Sequence, residues 1–273
     1  MALPWTLSID RTPGPRWDFP GLGPHREAVE ALVDRLTALG TGRDLPPPVP
    51  GTLEFTTAVP LGGGFGSSGA LCAALVNLFW PGAPLEARDR LAWEAEAQFH
   101  GTPSGIDTCL ALREGWWALD ASVKPVAARP LADPGLVLVV GGLVREGDTK
   151  SLVAGLARRR QAGDSLVTGA LGRLGATADR ATRCLESGSP AAFPALVAAA
   201  RDDLRLLGLE TPALTAVLDG AAATGALAGK LSGAGAGGAF FLVYPDRPTA
   251  EAALAPLSGL VAGELWTKKP TLI

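Results

Sequence analysis

Pro60-Leu61-Gly62-Gly63-Gly64-Phe65-Gly66-Ser67-Ser68-Gly69 is the stretch on which the reading of this chain turns. It follows a strand-forming run at 52–59 (TLEFTTAV) and precedes a helical run through Ala70–Phe79, so the order is strand, glycine loop, helix. Its five glycines let the backbone approach a ligand with no side chain in the way. The helix that follows directs N–H groups and the positive end of its dipole at the same spot, where a phosphate is stabilised. The hydroxyls of Ser67 and Ser68 add donors, and a serine beside phosphate can ligate magnesium, which prefers oxygen. The plainer alternative is a strand-to-helix turn with Ser67 or Ser68 as an ordinary N-cap.

Outward from this loop, a helix is expected near 25–39, with Ala28, Leu32, Leu36 and Leu39 at helical spacing, between loops rich in Pro and Gly at 11–24 and 40–51. Helices are expected at 86–99 and from Gly105 to about Leu112. Strands are expected at 115–120, 124–130 and 136–142, the last a near-continuous aliphatic run suited to a buried position. From Thr149 to about Gly225 the pattern is helical, with breaks near Gly163, Ser187–Pro190 and Gly208–Pro212. A strand at 239–244, a helix near 248–257 and a last strand near 260–266 complete the chain. The composition shift implies two domains, 1–140 and 141–273, consistent with a length of 273 residues.

Composition excludes several classes. Hydrophobic residues at 47% and charged residues at 19% describe a globular chain rather than a disordered one. A net charge of −3 without a Lys/Arg cluster gives no nucleic-acid footprint. Two histidines leave little material for a histidine metal cluster or a Ser-His-Asp hydrolase. Three widely spaced cysteines read as reduced thiols, and neither a signal peptide nor an apolar run of membrane length is present, so the expected location is cytoplasmic.

Two further motifs carry chemistry. Glu96 precedes Asp107 by eleven residues in EAQFHGTPSGID. One carboxylate can hold magnesium while the other accepts a proton from an attacking hydroxyl. The competing reading makes Ser104-Gly105-Ile106-Asp107 a capping box and leaves Glu94 and Glu96 as solvated charges. The other motif is Lys230-Leu231-Ser232-Gly233-Ala234-Gly235-Ala236-Gly237-Gly238, small at seven of nine positions and running straight into AFFLVY. Such a segment offers a backbone-lined surface for the first loop and a nucleotide, and its junction with a buried-looking strand argues against a flexible linker.

Taken together and in this order, the motifs resemble those of the GHMP kinases (galacto-, homoserine, mevalonate and phosphomevalonate kinases) over about residues 50–245. PLGGGFGSSG is similar to the family's P-x-G-x-G-L-G-S-S-A loop and KLSGAGAGG to its K-L-T-G-A-G-G-G-G loop. His100–Asp107 with Glu96 resembles the mevalonate kinase form, H-G-x-P-S-G-x-D with a glutamate eleven residues before the aspartate. DTKSLVAGLARRR at 148–160 resembles the segment opening the C-terminal domain of mevalonate kinases.

The resemblance implies a two-domain α+β fold, ribosomal protein S5 domain 2-like at the N-terminus and ferredoxin-like at the C-terminus, with the active site between the domains. It implies ATP and Mg2+ as cofactors, with Gly62, Gly63, Gly64, Gly66, Ser67, Ser68, Gly233 and Gly235 on the nucleotide, Ser68 and Glu96 on the metal and Asp107 as catalytic base. The implied reaction is phosphorylation of mevalonate to 5-phosphomevalonate in isoprenoid synthesis. Another small alcohol, or a non-catalytic nucleotide-binding homologue, are the alternatives. The implied partner is the small-molecule alcohol, mevalonate, with no nucleic acid and no membrane; a homodimer is left open.

Departures from the pattern are Phe65 for Leu, Gly69 for Ala, and Ala236 and Ala239 where the family has Gly and usually Cys. The family's N-terminal A-P-G-K-x-x-L-x-G-E-H has no counterpart here. Residues 2–5 resemble a run that follows it, which gives the expectation that the chain is truncated at its N-terminus and is a weak kinase or none; high activity of the chain as given would instead require another residue, Lys150 or Lys230, to do the work of the motif's lysine.

Overall fold

A strand that composition hides opens the chain. In the computed structural model, which describes residues 7–57, 63–147, 149–188, 190–260 and 266–272, β1 (Leu7–Pro13) pairs antiparallel with β2 (Gly51–Thr57). The register runs from Leu7 opposite Thr57 to Pro13 opposite Gly51. The expected loop at 11–24 therefore gives up its first residues to a strand, because proline is tolerated where a strand ends. Ala58 and Val59, the end of the expected strand, lie outside the described residues.

Residues 7–57 and 66–130 form one compact unit; residues 63–65 and those from 131 onward form a second. The first unit holds α1 (Arg26–Thr41), α2 (Ser67–Phe79), α3 (Leu85–His100) and α4 (Ile106–Ala111), and β3 (Trp116–Asp120) pairs with β4 (Ala127–Leu131). Helix α1 buries Val29, Leu32, Val33 and Leu36, the i, i+3, i+4, i+7 stripe of an amphipathic helix, against Leu53, Leu75, Val76 and Leu91.

In the second unit, β5 (Val137–Leu143) is followed by α5 (Thr149–Gln161), α6 (Ser165–Glu186), α7 (Phe193–Leu206) and α8 (Pro212–Ala221), and then by β6 (Ala228–Leu231), β7 (Gly238–Tyr244), α9 (Arg247–Ser258) and β8 (Trp266–Leu272). The four strands form a sheet in the order β6-β7-β5-β8, with every pair antiparallel. The helix starts follow the sequence signals, since Asp164, Thr211 and Asp246 each accept backbone N–H bonds as N-caps. Two expectations are corrected. Lys230 and Leu231, read as part of a glycine loop, are the end of β6. The last strand falls at 266–272 rather than 260–266, of which 261–265 lie outside the described residues. Trp266–Leu272 includes two lysines and Pro270, which an edge strand tolerates and a central one does not. No helix among the described residues is long and apolar enough to cross a membrane.

One buried ion pair fixes where α4 ends. Asp89 of α3 and Arg113, just past α4, form a two-pronged pair with side chains 7% and 8% exposed, and Arg113 also bonds the Cys109 carbonyl at 2.8 Å. Asp89→Ala would leave a buried guanidinium without its counter-ion. The expected loss is about 3–5 kcal/mol of unfolding free energy, measured by chemical denaturation.

Candidate active site

Helix α2 begins without a side-chain cap. Its cap residue is Gly66, in the left-handed region at φ 68°, and Ser67 and Ser68 are the first helical residues rather than caps. The ordinary N-cap reading of either serine is thereby excluded. The N–H groups of Ser67, Ser68 and Gly69 have no carbonyl four residues back within the helix, whereas Ala70 already bonds Gly66 O at 2.9 Å.

Glu96 and His100 lie four residues apart on α3, so one face presents both to Ser68. The Ser68 hydroxyl lies 3.0 Å from His100 Nε2 and 3.5 Å from Glu96 Oε1. Glu96 is 3% exposed, and its Oε2 is buried without a hydrogen-bond partner. Burial, reinforced by the charge of Asp107, pushes its pKa up to about 7, with the Ser68 hydrogen bond acting the other way. The two glutamates of α3 differ sharply, since Glu94 pairs with Arg43 at 2.7 Å. The sequence motif contained His100 without assigning it a role; its i+4 spacing from Glu96 was the available signal.

Asp107 is the second residue of α4, whose cap is Gly105 at φ 79° with no side-chain cap bond. The capping-box reading fails on this geometry, because Ser104 lies one position before the cap. Its hydroxyl accepts only a 3.3 Å bond from the Ile106 N–H. The Asp107 carboxylate instead faces the start of α2, where a Cβ built on Gly66 would stand 3.0 Å from Asp107 Cγ. The residue is open to solvent on one side. The packed backbone on the other pushes its pKa upward by desolvation, and His100 opposes the shift.

In the second unit the two glycine loops meet backbone to backbone. A Cβ on Gly238 would stand 3.1 Å from Gly63 O, and one on Gly233 would stand 3.8 Å from Gly64 O. The Ser232 N–H closes the second loop on Ala239 O at 2.8 Å. Gly62 lies outside the described residues, as does the side chain of Lys150. The Lys230 amine donates to Leu231 O at 2.9 Å and stands over the Phe241 ring, and burial lowers its pKa. Among the described residues no cluster of three or more His, Cys, Asp or Glu side chains is placed to hold a metal.

Residues 26–115 match the model of the GHMP kinases N terminal domain, and residues 181–261 match GHMP kinases C terminal. The chain belongs to the GHMP kinase family. Among curated relatives, mevalonate kinase of Thermococcus gammatolerans is 26% identical over 86% of this chain and 69% of that protein. Mevalonate kinase of Aeropyrum pernix is 31% identical over 72% of this chain and 62% of that protein. The chain thus spans about two thirds of the length of these relatives.

Solved structures share the GHMP kinase fold. L. major mevalonate kinase in complex with R-mevalonate superposes with a TM-score of 0.76 at 20% identity, over 97% of this chain and 85% of that one. Streptococcus pneumoniae phosphomevalonate kinase in complex with phosphomevalonate and AMPPNP gives 0.72 at 13%, over 97% and 89%.

Two outcomes follow from this packing. Gly69→Ala, which restores the residue of the family motif, would put a Cβ 2.7 Å from Asp107 Cβ and 2.9 Å from the Thr108 nitrogen. Helix α4 must then shift, at a cost of about 1–3 kcal/mol that a thermal or denaturant melt will show. For Glu96, folded and unfolded states both hold the proton below pH 4.5; between 4.5 and about 7 the unfolded chain releases it while the folded one keeps it. Stability of the metal-free protein should therefore fall as pH rises through this window, relative to Glu96→Gln, and run parallel above it.

Proposed function

We propose that the chain catalyses ATP-dependent phosphorylation of a small-molecule alcohol, with mevalonate as the acceptor. The observation that carries this reading is Glu96, a buried carboxylate with an orphaned oxygen, set beside the Ser68 hydroxyl at the uncapped start of a helix. A magnesium ion fits that donor set, a hard cation that takes one carboxylate, one hydroxyl and otherwise water and phosphate oxygen. When bound it would neutralise charge on the nucleotide phosphates. Gly62, Gly63, Gly64, Gly66, Ser67 and Ser68 of the first loop, with Gly233 and Gly235 of the second, are the residues assigned to the nucleotide. For those among the described residues, the support is the side-chain-free backbone and a helix start with no side-chain cap on its first N–H groups.

Asp107 is assigned as the base. The acceptor O–H bond breaks as its proton passes to the Asp107 carboxylate, the oxygen bonds to the γ-phosphorus, and the bond from that phosphorus to the bridging oxygen breaks to release ADP. A carboxylate whose pKa is raised by desolvation is better matched to this task near neutral pH than a fully solvated one. Phosphoryl transfer asks the protein mainly for position and charge, so no covalent intermediate is needed. Mevalonate as acceptor is supported by the names of the curated relatives and by the His100–Asp107 motif.

The test is steady-state kinetics with ATP and mevalonate, and with homoserine and galactose as competing acceptors. Asp107→Asn should lower turnover by about 10²-fold or more while Mg-ATP affinity, measured by calorimetry, stays near wild type. Normal turnover in that variant would remove the assignment of the base. Mg-ATP binding without turnover of any acceptor would favour a nucleotide-binding homologue.

A further inference from the structure

The second glycine loop is held in a costly conformation. Gly233, Gly235, Ala236, Gly237 and Gly238 all have positive φ, and Ala236, at 55°, does so with a Cβ. A left-handed alanine is strained and persists where its surroundings over-determine it. Here both of its polar groups are fastened from outside the loop: the Ala236 N–H donates to Leu209 O at 2.9 Å, and Ala236 O accepts from the Glu146 N–H at 2.8 Å. Leu209 also presses on the neighbouring residue, since a Cβ on Gly235 would stand 2.6 Å from Leu209 O.

What holds the Leu209 carbonyl is the next residue. That carbonyl belongs to the peptide plane shared with Glu210, whose side chain is 1% exposed. The Glu210 carboxylate takes Arg201 Nε and Nη2 at 3.0 and 2.7 Å and the Thr215 hydroxyl at 2.8 Å, and Arg201 reaches Asp219 at 2.7 Å. Arg201 stands on α7, and Thr215 and Asp219 on α8, so the segment between these helices is clamped from both sides. The Leu209 N–H bonds back to Leu204 O at 3.1 Å.

We propose that Arg201 and Glu210 are positioning residues for the second glycine loop, acting through the Leu209–Glu210 peptide on Ala236. The inference rests on the nucleotide role assigned above to Gly233 and Gly235. A buried ion pair that merely joins α7 to α8 would affect stability alone, whereas one that sets this carbonyl also affects the ligand.

The experiment compares wild type, Glu210→Gln, Ala236→Gly and their double variant. Asp203→Asn serves as a control, because it weakens another carboxylate pair of the same unit, Arg173–Asp203, whose side-chain hydrogen bonds join α6 to α7 and involve neither Glu210 nor the loop. Three quantities are read on the folded full chain: amide hydrogen exchange over residues 232–239, the Kd for Mg-ATP, and the unfolding midpoint. Glu210→Gln should speed exchange in that segment and weaken Mg-ATP binding by about tenfold, the usual scale of coupling between sites. Asp203→Asn should lower the midpoint and leave the other two unchanged. The double variant should fall short of the sum of the single effects on Kd, since both act on one contact. Unchanged exchange in Glu210→Gln, or faster exchange with unchanged Kd, would overturn the inference. If wild type binds no Mg-ATP, the kinase reading fails instead, and the exchange comparison alone decides the link from Glu210 to the loop.

Discussion

Close approach of backbone to backbone at the start of α2 is the constraint on which the candidate site depends. Asp107 stands beside Gly66 and Gly69 only because neither has a side chain, and a Cβ at either position would meet it within van der Waals distance. The same absence of side chains gives α2 a start whose first N–H groups have no cap. One steric condition thus delivers a carboxylate and a set of amide donors to one place. It also explains why α4 can be as short as Ile106–Ala111: its position is fixed by packing on α2 and by the Asp89–Arg113 pair, not by its own propensity.

The electrostatics separate the buried structural acids from the buried acid of the candidate site. Asp89, Asp203 and the side chain of Glu210 are buried and each is paired with an arginine, as desolvation requires. Glu96 is buried beside a hydroxyl and repelled by Asp107, and its pKa rises accordingly. Among the described residues these three buried acids are neutralised while Glu96 depends on a serine, and an unsatisfied buried group of this kind marks a candidate site. Cys72 experiences the same surroundings, and its thiol pKa is pushed up first by burial and then by Glu96.

The second glycine loop shows a different economy of structure. Its shape comes from glycines in conformations closed to other residues, yet its stiffness comes from hydrogen bonds supplied by Leu209 and Glu146 at a position where an alanine stands. Small residues allow the conformation, and the surrounding chain selects it. A loop free to take many shapes would lose much of its interaction with a ligand in becoming ordered.

The sequence by itself determined the helices α1 to α9, the strands β2, β3, β4, β5 and β7, and the membership of Ser68, Glu96 and Asp107 in one motif set. Periodicity, cap residues and glycine spacing are local, and local signals survive in a linear reading. The tertiary structure decided the rest. It paired β1 with β2 despite the prolines nearby, put β8 at an edge where Lys and Pro are tolerated, and drew Lys230 into β6. It buried Glu96 while Glu94, two residues away, found Arg43, and it set His100 against Ser68. It also shifted the cap of α4 from Ser104 to Gly105, which frees Asp107 to face α2. Each of these outcomes depends on which distant segment lies alongside, and burial, pairing and pKa are properties of that neighbour as much as of the residue itself.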